Sequence, residues 1–202
     1  MKSNKFQRRI IMVNRSKFAV LIVWSILGCT LLSSGFAMAK LFQNDGKGDF
    51  ANPTIDLGTV VTDIEKSAKF YTEAIGFKEV QGFSVPPAFA GEAGLTDPKL
   101  DKPLNIRVFV LGEGQGATKL KLMQIDGAKP RLSDNETIHS QTGFRYLTLS
   151  ITDTKKAVAR LEKAGVKPVA KSPAAIPETI AKGIFLTVVK DPDGNIVELV
   201  GP

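Results

Sequence analysis

Asp56–Val80, DLGTVVTDIEKSAKFYTEAIGFKEV, and Tyr146–Val169, YLTLSITDTKKAVARLEKAGVKPV, align along their whole length once the second helix is allowed one residue fewer. Leu57 meets Leu147, Thr62-Asp63 meets Thr152-Asp153, Gly76 meets Gly165 and Val80 meets Val169. A repeat of this size sets the architecture before any single element is assigned. In each copy an alternating strand ends at an Asp suited to the N-cap of a helix, and the helix ends at a Gly suited to the left-handed C′ position. Thr62 to Glu65 also fits a capping box. Ile64, Ala68, Tyr71 and Ile75 make one apolar stripe on the first helix, and Ala157, Leu161 and Ala164 make the stripe of the second, flanked by Val158; both stripes predict core.

Three strands are expected after each helix, near 77–82, 105–111 and 117–125 in the first copy and 166–170, 184–190 and 195–200 in the second. Each copy therefore reads as βαβββ, giving an α+β domain over 54–202 with module one at 54–125 and module two at 143–201. Gly112 to Gly116 and Asp191-Pro192-Asp193-Gly194-Asn195 supply the turns before the last strand of each module. Phe83 to Pro103 is longer than an ordinary connection and carries Pro86, Pro87, Pro98 and Pro103. Such a segment is either a lid over a site or a surface excursion.

The first 39 residues differ from the rest. They hold six cations (Lys2, Lys5, Arg8, Arg9, Arg15, Lys17), no carboxylate, and an apolar run from Phe18 to Ala39. That pattern predicts a signal peptide, with Ala37-Met38-Ala39 placing cleavage before Lys40. The alternative is an uncleaved anchor over 18–39, since 22 residues at about 1.5 Å each span a hydrocarbon core of about 30 Å. Both readings predict an exported domain, periplasmic or extracellular, joined through a polar linker at 40–53. Without those six cations, 21 of the 27 Lys and Arg remain against 20 Asp and Glu, so the high isoelectric point belongs to the leader. Nothing in the remainder argues for nucleic acid, and membrane contact is expected only through an uncleaved N-terminal segment. The single cysteine, Cys29, is also in the leader, so the domain must be held by its core rather than by a disulfide.

The stretch VVTDIEKSAKFYTEAIGFKEV, with its strand, D-x-x-x-S, F-Y and G-F elements, and the closing DPDGNIVELVG resemble the vicinal oxygen chelate superfamily of glyoxalases, bleomycin resistance proteins and extradiol dioxygenases. The resemblance covers about 54–201. It implies paired βαβββ modules bending a mixed sheet into a cup, helices outside, with metal ligands from the first and fourth strand of each module. Onto this sequence those ligand positions fall at Asp56, Lys121, Tyr146 and Glu198. Tyr146 stands where the family usually has His and Lys121 where it usually has Glu; only Glu198 keeps the usual ligand type.

A lysine ammonium has no lone pair to offer a metal, so a divalent ion is disfavoured and no cofactor is expected. On this reading Lys121 is expected between Asp56 and Glu198, with Tyr146 donating to one carboxylate. Arg107 alternates with Ile106 and Val108 and is expected to point into the cup with Asn105 and Phe109, either holding an anionic ligand together with Lys121 or pairing with Asp56 or Glu198. His139, the only histidine, falls in the link between modules as an exposed residue or as an acid or base swung over the cup. The resemblance implies a protein that binds a small molecule through Asp56, Arg107, Lys121, Tyr146 and Glu198 without a conventional metal. The alternative is an enzyme of the same superfamily, a lyase, isomerase or dioxygenase, with Glu198 and Tyr146 as its acid and base. A homodimer is compatible with either.

Overall fold

The structure, a computed structural model, describes residues 54–202 apart from Gln115. Within the compact unit Thr54–Pro202, module one comprises β1 (Leu57–Val60), α1 (Ile64–Lys69) running on into a π-helical segment (Phe70–Ile75), β2 (Lys78–Val85), α2 (Pro87–Glu92), β3 (Leu104–Leu111) and β4 (Thr118–Met123). Module two comprises β5 (Tyr146–Ser150), α3 (Thr154–Lys163), β6 (Ala174–Ala175), β7 (Phe185–Lys190) and β8 (Ile196–Gly201). The expected exported chain with a membrane anchor over 18–39 is corrected on one point. No helix among the described residues is long and apolar enough to cross a membrane, and the leader and linker lie outside those residues.

The sheets are two, not one. Strand order is β1-β4-β3-β2 in the first and β5-β8-β7-β6 in the second, with the first strand of each module at the edge and parallel to the fourth, which is internal. Strands of one module pair only with strands of the same module, so the expected cup-shaped sheet is corrected to two open four-stranded sheets, neither closed nor curled. The strand expected at 166–170 is also absent. Pro168 has no N–H to give a ladder, and the remaining contact there is a single bond from Val169 N–H to Val188 O at 2.9 Å; pairing resumes only at Ala174–Ala175.

Asp63 and Asp153 cap their helices as expected, accepting from the N–H of Lys66 at 3.0 Å and of Lys156 at 2.9 Å. The capping box is not formed, because Thr62 turns its N–H and hydroxyl to the Asp193 carboxylate of module two. Gly76 lies one position further from its capping Asp than Gly165 does, and the π-helical segment takes up that extra residue: Gly76 N–H reaches back five residues to Tyr71 O at 3.1 Å. Its φ of 96° ends the helix in the left-handed region. In β2 a bulge between Val80 and Phe83 brings Gly82 so close to β3 that a Cβ there would lie 2.3 Å from Ile106 O.

One core joins the modules. Ala68, Phe70, Tyr71, Ala74 and Ile75 of the first helix pack with Leu149, Ala157, Leu161, Val189, Val197 and Leu199 of module two, and with Phe109, Leu120 and Leu122 of the first sheet. Polar ties fix the junction. Arg160 of α3 donates from Nε to Ala74 O and from Nη2 to Ile75 O, both at 2.9 Å, satisfying carbonyls at the C-terminal end of the first helix, where a cation is also favoured by the helix dipole. Charged hydrogen bonds of this kind contribute about 1.5–3 kcal/mol. Arg160→Ala should therefore lower the unfolding free energy by about 2 kcal/mol in urea titration, with Arg160→Lys recovering part of the loss.

Candidate functional site

Strand register decides which side chains share a face. In the first sheet Arg107 stands opposite Leu122 and Phe109 opposite Leu120, all on the face that carries the helices, whereas Val108 stands opposite Lys121. The far face thus holds Lys121 beside Leu104, Ile106, Val108 and Met123, a second apolar cluster. In the second sheet Leu147, Leu149, Val197 and Leu199 face the helices, while Tyr146, Thr148, Ser150 and Glu198 lie on the far face. The two far faces carry all four positions that the sequence singled out in the first and fourth strands.

Asp56, just ahead of β1, accepts an ion pair from Lys121 Nζ at 2.8 Å, and each side chain is 30% exposed. Glu198 accepts from the Thr148 hydroxyl at 2.8 Å. Lys121 makes no ion pair with Glu198, and the Tyr146 side chain, on a residue 55% exposed, makes no hydrogen bond among the described residues. The expected bridge of Lys121 between two carboxylates is thereby corrected: the pair is confined to module one, and Glu198 is held by a hydroxyl of its own sheet.

Arg107 is the second correction. It points to the helix side, giving Glu79 two hydrogen bonds, at 2.7 Å from Nε and 2.9 Å from Nη2, and Glu65 a third at 2.8 Å from Nη1. Its guanidinium also lies 5.8 Å from the Phe109 ring centroid. Arg107 and Lys121 therefore do not converge on one ligand, and Arg107 pairs with neither Asp56 nor Glu198. His139 falls in a linker shaped by Arg145, which donates to the carbonyls of Asp134, Thr137 and Ile138.

The sequence did not single out Asp191 or Tyr71 as partners. The Tyr71 hydroxyl donates to Asp191 at 2.9 Å in a buried contact; burial first, and the neighbouring Asp191 charge second, push that hydroxyl far above its ordinary pKa and keep it a neutral donor. The signal available was the DPDGN turn, whose Asp residues can serve more than the turn itself. Thr148, two residues along β5 from Tyr146 and so on the same face, was also missed as the partner of Glu198.

The model of the Glyoxalase/Bleomycin resistance protein/Dioxygenase superfamily matches residues 56–199. The chain belongs to that superfamily. A glyoxalase family protein from Bacillus cereus is similar in structure, with a TM-score of 0.59 and 18% identity over 78% of this chain and 98% of that one. A glyoxalase I variant from Zea mays aligns with a TM-score of 0.51 and 20% identity over 73% of this chain but 44% of its own. No curated protein matches the chain by sequence. At these identities the structural neighbours share the fold alone.

The superfamily's usual metal ligands are carboxylates and imidazoles, and the residues at those positions here do not fit a divalent ion. The Lys121 ammonium donates to the Asp56 oxygen that an ion would need and has no lone pair of its own. Among the described residues no group of three or more His, Cys, Asp or Glu is placed to hold a metal.

Because the Asp56–Lys121 pair is partly solvated, Lys121→Met should change the unfolding free energy by no more than about 1 kcal/mol; a loss above about 3 kcal/mol would mark the pair as buried and structural. The Glu79–Arg107 contact gives a pH signature. The Arg107 hydrogen bonds, aided by its charge and opposed by desolvation, hold the Glu79 carboxyl below its ordinary value. Such a group contributes stability above its unfolded pKa of about 4.3, and that contribution is lost as pH falls through the lower folded value. Arg107→Gln should raise the Glu79 midpoint in an NMR pH titration and make the acid fall of stability less steep.

Proposed function

We propose that this domain binds a small molecule on the far face of its second sheet and does so without a conventional metal centre. The observation that carries the reading is the contrast between the two modules. In module one the charge at the ligand position is neutralised internally by the Asp56–Lys121 pair. In module two Glu198 has no cationic partner among the described residues, accepts there from the Thr148 hydroxyl, and lies on the same face as the exposed Tyr146 ring. A half-buried carboxylate beside an aromatic surface favours a ligand that brings a hydrogen-bond donor or positive charge on an aromatic or apolar body. The anionic ligand suggested by Arg107 and Lys121 together is disfavoured, since both cations already hold carboxylates.

A thermal-shift panel of aromatic amines, aromatic acids and neutral aromatics tests the reading. A ligand at 100 times its dissociation constant should stabilise the fold by about 2.7 kcal/mol. Amines should rank above acids, and the shift should vanish in Glu198→Gln and shrink in Tyr146→Ala. Absence of any shift counts against it. Tight stoichiometric uptake of zinc, nickel or manganese, or turnover of a 2-oxoaldehyde thiol adduct or a catechol that is lost in Glu198→Gln, would overturn it in favour of an enzyme.

A further inference from the structure

A surface cavity of about 440 Å³ opens where the first helix meets the DPDGN turn and the segment after α3. None of Asp56, Lys121, Tyr146 or Glu198 lines it, so it stands apart from the site proposed above. Its volume lies within the range of about 300–1,000 Å³ typical of small-molecule sites. Phe70, Val166 and Val169 give it apolar walls, and two cations, Lys167 and Lys190, line it with Asp191.

The charge balance follows from the hydrogen bonds. Asp191 makes no ion pair with either lysine: its buried carboxylate accepts from the neutral Tyr71 hydroxyl, the N–H groups of Asp193 and Asn195, and Asn195 Nδ2, which orient it and leave its charge in place, so the two lysines outweigh it by one. Neither Lys167 nor Lys190 makes an ion pair or side-chain hydrogen bond among the described residues, and Lys190 is half-buried. The missing strand at 166–170 leaves the Lys167–Val169 stretch beside β7 as wall rather than as ladder, tied by the single Val169–Val188 bond. The extra residue of the first helix contributes as well, because the π-helical segment begins at Phe70, which floors the cavity, and continues with Tyr71, which fixes Asp191. Segments of this kind often accompany binding sites.

We propose that this cavity takes a small amphiphilic monocarboxylate, its apolar body on Phe70, Val166 and Val169 and its carboxylate between Lys167 and Lys190. The probes are phenylacetate and hexanoate, with phenethylamine as the cationic counterpart of the first and acetate as the charge without the body. In NMR titration of the full chain, phenylacetate and hexanoate should shift the amides of Lys167, Val169, Lys190 and Asp191, while phenethylamine should leave them unmoved. Acetate should bind at least about tenfold more weakly, the apolar body supplying the difference. Lys167→Gln with Lys190→Gln should weaken phenylacetate about tenfold while preserving the dispersed spectrum, since two partly solvated charge contacts are removed. Three results would each overturn the proposal: equal phenylacetate affinity in the double variant, phenethylamine binding as well as phenylacetate, or phenylacetate shifts absent from these amides at millimolar concentration. Failure of the Glu198 site leaves these readouts untouched, because they report on different residues.

Discussion

The Asp191 carboxylate is the contact on which the relation between the modules depends. It is 5% exposed, and a carboxylate in that position costs several kcal/mol unless its lone pairs are filled. Two are filled locally by the N–H groups of Asp193 and Asn195, which close the turn between β7 and β8, and Asn195 Nδ2 adds a third bond at 2.9 Å. The fourth donor is Tyr71, which belongs to the other module. The turn is therefore complete only when the first helix is docked, and the same turn returns Asp193 to the N–H and hydroxyl of Thr62 at the head of that helix. With Arg160 of α3 closing the far end of the helix, module two holds that element at both ends, and the β7–β8 hairpin that carries Glu198 holds its head and Tyr71.

Most of the fold was legible because it was written twice. The capping Asp, the apolar stripe and the terminal Gly of each helix are local signals, and the structure uses them as read. The one-residue mismatch between the copies was visible as well, but a sequence offset does not say whether it becomes a loop, a bulge or a π-helical segment; packing of Tyr71 against Asp191 and Phe77 accompanies the last of these here. The strand at 166–170 was misread for the opposite reason. Val166, Val169 and their spacing satisfy a strand pattern, while the Pro168 that breaks the ladder acts only through a backbone donor that the pattern does not count. The cup was an inference from the family's shape, and no local signal could test it, because curvature is a property of pairing between distant strands.

The site was less legible, and β3 shows why. Alternation assigns a face only when one face is apolar, and β3 is apolar on both: Leu104, Ile106 and Val108 on one side, Phe109 and Leu111 on the other. Arg107 could be assigned to either. Register with β4 settles it, since Arg107 opposes Leu122, and its carboxylate partners Glu65 and Glu79 then follow. On β5 and β8 the alternation is clean, and there Tyr146, Thr148 and Glu198 fall on the far face as their spacing predicts. The same rule thus succeeded on β5 and β8, and on β4 for Lys121, but failed on β3, where both faces of the strand are apolar.

That asymmetry also explains how a weak ion pair can matter for chemistry while contributing little to folding. At 30% exposure on each side, Asp56 and Lys121 exchange solvent for one another at nearly balanced cost, so the fold does not rest on them. A divalent ion brought to the same place would meet the lysine ammonium at short range. Two unit charges about 4 Å apart interact by about 4 kcal/mol at an effective dielectric of about 20, and a double charge makes the repulsion about 8 kcal/mol. Displacing Lys121 into water would relieve it, but among the described residues no group of three or more His, Cys, Asp or Glu would then stand with Asp56 to complete a ligand set. One side chain of small structural consequence thus makes this position ill suited to a divalent ion, and on the reading we propose the carboxylate that meets a ligand is Glu198 of the other module.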